Sequence, residues 1–127
     1  MLTAAPTDDV TLGLSSSVPA EGSVSDATVT FTPGNWNQMQ EITVTGEDDA
    51  DMDGDQPYQV VIDAASSLDG RYDGMDPPDV AVNNTDNDTA GVTVSPISGL
   101  TTSEAAAQDT FTVVLNSEPT FNVTLTL

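Results

Sequence analysis

One acidic segment holds the residues of this chain whose types and spacing could do chemistry. Residues 47–55 read "EDDADMDGD" and place six carboxylates within nine positions. Carboxylate oxygens in flexible loops are the ligands that Ca²⁺ takes up in proteins. The chain has no His and no Cys, so zinc or copper sites and Ser-His-Asp or Cys-His catalysis have no residues to use. The segment therefore favours calcium binding, and the alternative is a solvated loop that only adds charge.

Part of this segment, Asp49-x-Asp51-x-Asp53-Gly54, matches the first half of an EF-hand loop. An EF-hand also needs a bidentate Glu at the twelfth loop position and a helix on each side. The twelfth position counted from Asp49 is Val60, which offers no ligand. The flanks "QEITVTG" and "YQVVID" alternate with period two, which is typical of strands. We therefore predict a loop between two strands and exclude an EF-hand.

The net charge limits the partners of the chain. It has 21 Asp and Glu residues against one basic residue, Arg71, which gives a formal charge of -20. Two carboxylates about 5 Å apart repel by roughly 3 kcal/mol at an effective dielectric near 20. Either bound cations or solvent and salt must relieve that repulsion. We expect no binding to nucleic acid and no membrane insertion, since the charge has the wrong sign and no apolar run is long enough.

Period-two patterns predict the fold class. With 37% hydrophobic residues in strand-like alternation, the chain differs from a disordered acidic tail. Short strands separated by Gly, Pro, Asp and Asn turns indicate an all-β fold, an antiparallel immunoglobulin-like β-sandwich. No helical period of useful length is present. The eight predicted strands are 8–14, 27–32, 39–46, 58–63, 79–84, 91–95, 109–116 and 121–127.

An internal repeat joins the two ends of the chain. "APTDDVTLGL" (5–14) and "EPTFNVTLTL" (118–127) align without gaps, and the identities keep strand register. The aligned pairs are Pro6 with Pro119, Thr7 with Thr120, Val10 with Val123, Thr11 with Thr124, Leu12 with Leu125, Leu14 with Leu127 and, upstream, Leu2 with Leu115. We interpret the chain as one period of a tandem array that starts and stops in mid-repeat. The alternative is coincidence between two Thr/Val strands.

The order of these features resembles a Calx-beta repeat. The stretch "GSVSDATVTFTPGNWNQMQEITVTGEDDADMDGDQPYQVVI" is similar to the second half of such a repeat. The stretch "TDNDTAG" (85–91) is similar to its closing acidic segment, and "GLTTSEAAAQDTFTVVL" (99–115) to the start of the next one. The resemblance implies a sandwich of about seven strands per repeat, found in long bacterial surface or secreted proteins. In some members of the family one end of the sandwich binds several Ca²⁺ ions.

The resemblance also implies a set of calcium ligands. They would come from the acidic loop, the closing segment and the early Glu of the following repeat, at Asp48, Asp49, Asp53, Asp86, Asp88 and Glu104. Two departures from the family pattern reduce the expected number or affinity of the ions. The stretch "SSSVPAEGS" offers only Glu21 or hydroxyls where calcium-binding members have an Asp, and Asn87 stands where a third carboxylate is common.

In domain terms, we expect residues 1–88 to form most of one repeat without its first strands. Residues 89–127 would begin the next repeat and could supply equivalents of those strands, either in cis or by exchange between two copies. The link from about Asn84 to Val92 spans at most about 27 Å, so closure in cis would be strained. The sequence therefore favours a strand-swapped homodimer or an open chain of copies.

Two functions fit these observations, and neither is enzymatic. The first is a calcium-binding structural repeat that stiffens or spaces a long extracellular or cell-surface protein, with neighbouring repeats as its partners. The alternative is an adhesive module that recognises a protein or a carbohydrate. The few aromatic residues, among them Trp36, Tyr58 and Tyr72, give no obvious sugar-binding platform.

Overall fold

A computed structural model describes residues 1–126 as nine β-strands and the loops between them. Every pair of strands in this part of the chain is antiparallel. The predicted all-β, antiparallel, sandwich-like class is therefore confirmed. No helix within residues 1–126 is long and apolar enough to cross a lipid bilayer. The strands are β1 (Val10–Ser16), β2 (Gly22–Val24), β3 (Thr28–Phe31), β4 (Val44–Gly46), β5 (Gln56–Ile62), β6 (Ser66–Ser67), β7 (Val80–Asn84), β8 (Val92–Ser95) and β9 (Thr112–Leu115).

The chain divides into two compact units. The first unit consists of residues 1–48 and 55–85, and it contains strands β1 to β7. The second unit consists of residues 49–54 together with the described residues from Asp86 onward, and it contains the β8–β9 hairpin. The middle of the acidic segment therefore groups with the later part of the chain.

The first unit is built around β1. Its Val10, Leu12 and Leu14 alternate with polar or small residues, so they project from one face of the strand. The main sheet has the order β3-β1-β5-β7, with β6 also paired to β1, and β2 pairs with β4 in a separate two-stranded sheet.

A β-bulge bends the strand that runs beside β1. Leu14 pairs with Ile62 of β5, and Thr11 pairs with Ser66 of β6. Between these pairs, Leu12 and Gly13 oppose the three residues 63–65, so one residue is extra. This bulge places Ala65 in the core beside β1.

The core of the first unit contains Val10, Phe31, Ala65 and Tyr72, with Leu2 packed against them. Val10 is only 1% exposed, and full burial of such a side chain contributes about 1.5–3 kcal/mol. Tyr58 and Val60 of β5 are also buried. All buried residues within the described chain belong to this unit.

Two predicted strands differ from the structure because they lack partners. Predicted strand 39–46 is a strand only at Val44–Gly46, where β2 pairs with it. Residues 121–126 of predicted strand 121–127 form no strand, and Leu127 lies outside the described residues. Strand β1, which the internal repeat aligns with residues 121–126, pairs with β3 and β5.

Candidate functional site

The acidic segment lies between the end of β4 and the start of β5, as the sequence predicts. Gly54 has a φ of 80°, a left-handed conformation that glycine adopts without steric cost. The Asp49 Oδ1 atom accepts a hydrogen bond from the Asp51 amide at 2.8 Å, which is the local turn that Asp side chains favour. The segment is therefore a shaped loop whose side chains are exposed.

In the second unit, Asp86 joins this loop to the closing acidic segment. The Gly54 amide donates to Asp86 Oδ2 at 2.7 Å, and the Asp88 amide donates to Asp86 Oδ1 at 2.7 Å. The Glu118 amide also donates to the Ala50 carbonyl at 2.7 Å. Four of the six predicted ligands therefore lie on two bonded segments of this unit. These four are Asp49, Asp53, Asp86 and Asp88.

The fifth predicted ligand, Asp48, belongs to the first unit. That unit contains a polar cluster that the predicted ligand set does not include, formed by Glu21, Glu47 and Asn84. The Asn84 side-chain amide donates to Glu21 Oε2 at 3.2 Å and to the Glu47 carbonyl at 2.8 Å. The Ser23 hydroxyl donates to Glu47 Oε1 at 2.8 Å. These residues add side-chain oxygens next to the start of the acidic loop.

The pairing of β2 with β4 is the reason Glu21 and Glu47 meet. Gly22 pairs with Gly46, and the next residues outward on the two strands are Glu21 and Glu47. The Glu47 amide donates to the Glu21 carbonyl at 3.1 Å. A strand predicted at 22–24 would have revealed this pair, but "SSSVPAEGS" carries too few apolar residues to show period two.

The sixth predicted ligand, Glu104, is exposed in the loop between β8 and β9. Asp109 organises that loop by accepting hydrogen bonds from the amides of Thr101 and Thr110, both at 2.9 Å. These two amides lower the pKa of the Asp109 carboxyl. In the described part of the chain, no hydrogen bond joins Glu104 to the other predicted ligands.

The donor set suits Ca²⁺ by its chemistry, because every candidate ligand is an oxygen atom. However, residues 1–126 contain no group of three or more acidic side chains placed to hold a metal ion together. Asp86 uses both carboxylate oxygens to accept backbone hydrogen bonds. Calcium binding would therefore require the side chains of the loop to converge, and the six-residue ligand set stays a prediction.

The second acidic stretch, "SLDGRYDGMD", has a structural role at Asp69. Its carboxylate is 5% exposed and accepts bonds from Arg71 Nη2 at 2.6 Å and from the Thr7 amide at 2.8 Å. The Arg71 side chain and the Thr7 amide hold the pKa of Asp69 well below its usual range, and Asp69 raises the pKa of Arg71. The Tyr72 hydroxyl also donates to the Ala4 carbonyl at 2.6 Å. Together with the bonds of Asp69, this contact holds the N-terminal segment against the stretch that contains Asp69 and Tyr72.

Comparisons of the chain with protein-family models, with curated proteins and with solved structures find no match. The resemblance to Calx-beta repeats therefore stays a prediction from the residues alone.

Proposed function

We propose that this chain is a non-catalytic structural repeat of a longer extracellular or cell-surface protein, and that Ca²⁺ bound at its acidic loop stiffens it. The observation that carries the proposal is the bond between the Gly54 amide and Asp86 Oδ2. It brings the acidic loop and the closing segment together, although they are 32 residues apart in the sequence. An ion held by Asp49, Asp53, Asp86 and Asp88 would tie the same two segments more firmly.

The charge of the chain supports a role for cations. The formal charge is -20, and the only ion pair between side chains of the described residues joins Arg71 to Asp69. The one basic side chain of the sequence, Arg71, is therefore engaged outside the acidic loop. Extracellular calcium modules work with dissociation constants of about 10⁻⁴–10⁻³ M, so a loop that must converge around its ion could still fill outside the cell.

The strand order supports an immunoglobulin-like repeat of the Calx-beta kind. In an immunoglobulin sandwich, strands C, F and G form one sheet, and strands E and D neighbour each other in the other. Within the order β3-β1-β5-β7, the strands β1-β5-β7 correspond to C-F-G and β3 extends that sheet beyond β1, while the pair β4–β2 corresponds to E-D. On this correspondence, none of the strands of the first unit is equivalent to strand A or B.

Calcium titration of a double variant tests the proposal. Asp49→Asn with Asp53→Asn removes two of the four carboxylates on the bonded segments, and we expect calcium affinity to fall at least tenfold, or about 1.4 kcal/mol. The matched control is Asp8→Asn with Asp9→Asn, which removes the same charge from exposed positions of the first unit. Isothermal titration with direct metal analysis measures both variants.

The control should bind calcium as the parent chain does. Equal loss of affinity in both double variants would show that calcium responds only to total charge. No measurable calcium binding by the parent chain would end the proposal.

A further inference from the structure

The first unit has an open apolar groove. Its lining includes Leu2, Leu12, Val29, Phe31, Ile42 and Ile62, and its volume is about 560 Å³. The core residues Val10 and Tyr72 also border it. A cleft of this size beside the core leaves apolar side chains without packing partners, which costs stability.

One wall of the groove is a strand-like segment without a partner. Residues 39–42 lie before Thr43, which is bonded to Ser25, and they continue the alternation of β4, with Gln40 and Ile42 facing the groove. In the described chain, no hydrogen bond is formed by the backbone of residues 39–42. An extended segment with unpaired amides and carbonyls next to an apolar cleft is the arrangement that accepts an added strand.

Leu2 shows how an added strand would enter. It lines the groove, and its amide donates to the Trp36 carbonyl at 2.7 Å. The internal repeat matches Leu2 with Leu115, the last residue of β9. By this match, β9 with the residues before it is the segment whose end corresponds to the position of Leu2.

The properties of β9 suit the groove. Phe111, Val113 and Leu115 alternate along one face, and the first two are 46% and 37% exposed. Residues 110–117 carry no charge, so they avoid the repulsion that most of this acidic chain would meet. In its own unit β9 pairs only with β8, and a two-stranded hairpin is marginally stable alone.

We propose that β9 of a second copy of this chain, with the residues just before it, adds to residues 39–42 as an antiparallel strand and fills the groove with Phe111 and Val113. Leu115 of the second copy then displaces Leu2 from its position beside Trp36. In this arrangement we set Phe111 opposite Gln40, which lines the groove, so that the apolar face of the added strand covers it. The same register places Thr110 opposite Glu41 on the outer face, where both side chains are exposed.

Disulfide trapping tests this register, because the chain has no cysteine of its own. Variants Glu41→Cys and Thr110→Cys are mixed, refolded together and oxidised. Opposite residues of antiparallel strands have Cβ atoms about 4.5–5.5 Å apart, close enough for a disulfide after a small adjustment. We expect a covalent dimer of the two variants. The control mixture of Gln59→Cys with Thr110→Cys should give none, since Gln59 is exposed on β5 and does not line the groove.

Light scattering supplies a second test that needs no cysteine. The parent chain should show a mass of at least twice its 13.1 kDa. Val113→Asp places a charge on the face of β9 that enters the groove and should reduce the mass to that of one chain. Val114→Asp places the same charge on the opposite face, where the side chain is 58% exposed, and should leave the larger mass unchanged.

Four results would overturn the proposal. They are a single-chain mass of the parent at every concentration, equal cross-linking in the test and control mixtures, no cross-link in either mixture, and a Glu41→Cys, Thr110→Cys double variant that forms its disulfide within one chain. The last result would show that the groove accepts β9 of its own molecule.

Discussion

Asp69 and Arg71 show that an acidic residue of this chain can serve the fold rather than a ligand. The carboxylate is buried and receives three hydrogen bonds from Arg71 and one from Thr7. The predicted strands 58–63 and 79–84 leave this stretch as a connection, and nothing in the sequence singles out Asp69 from its acidic neighbours. The reason is that burial of Asp69 depends on Thr7, which is 62 positions away.

The lowered pKa of Asp69 predicts a pH dependence. Its folded-state pKa lies below the ordinary value near 4, so the carboxylate stabilises the fold above pH 4, and this contribution is lost as the pH falls toward the lowered pKa. Asp69→Asn should therefore reduce the melting temperature by several degrees at pH 7, and the difference from the parent chain should shrink between pH 4 and pH 2.

The control for this comparison is Asp9→Asn, which makes the same charge change at an exposed position. Melting curves by circular dichroism measure both variants. A difference between Asp69→Asn and the parent that stays constant down to pH 2 would contradict the role of the ion pair.

The candidate ligands illustrate what residue patterns can and cannot predict. Residue type and the flanking strands were enough to predict the acidic loop, because a run of six carboxylates in nine residues is costly to bury and therefore favours an exposed loop. The cluster of Glu21, Glu47 and Asn84 was not predicted, since it depends on the register of β2 with β4. Long-range register leaves little trace in a short strand such as "GSV".

At the scale of elements, β2 and β5 meet at a glycine. A Cβ atom at Gly22 would overlap the hydroxyl of the buried Tyr58. Gly22→Ala should therefore destabilise the chain by about 1–3 kcal/mol through overpacking. Gly70→Ala is the matched control, because a Cβ atom there would meet nothing within 4 Å.

Urea unfolding measures both glycine variants, and the midpoint should shift only for Gly22→Ala. Equal midpoints for the two variants would mean that the contact between Gly22 and Tyr58 does not constrain the fold.

A strand could be predicted from the sequence where the segment has period-two alternation and also has a partner strand. Segments with period two and a partner in the chain became β1, β3, β5, β7, β8 and β9, within a few residues of the predicted bounds. Segment 39–46 has the pattern but only part of a partner, so only Val44–Gly46 forms a ladder. The two-residue β6 has no pattern to detect and forms because the bulge returns the chain to β1.

At the scale of the whole molecule, the main feature is the large net negative charge. A formal charge of -20 with one Arg means that folding brings many carboxylates closer together, and repulsion between them opposes compaction. Monovalent salt screens this repulsion at any site, whereas a bound Ca²⁺ ion acts only where oxygen ligands converge. The two effects can be separated by comparing ions at one ionic strength.

The measurement that tests the proposed function most directly is a thermal melt of the chain in millimolar calcium, in magnesium and in chelator, at fixed ionic strength. A ligand at 100 times its dissociation constant adds about 2.7 kcal/mol of stability, which corresponds to several degrees in melting temperature. We predict that calcium raises the melting temperature by this amount and that magnesium does markedly less. Identical melts in calcium and chelator, or equal stabilisation by both ions, would contradict a calcium-stiffened repeat.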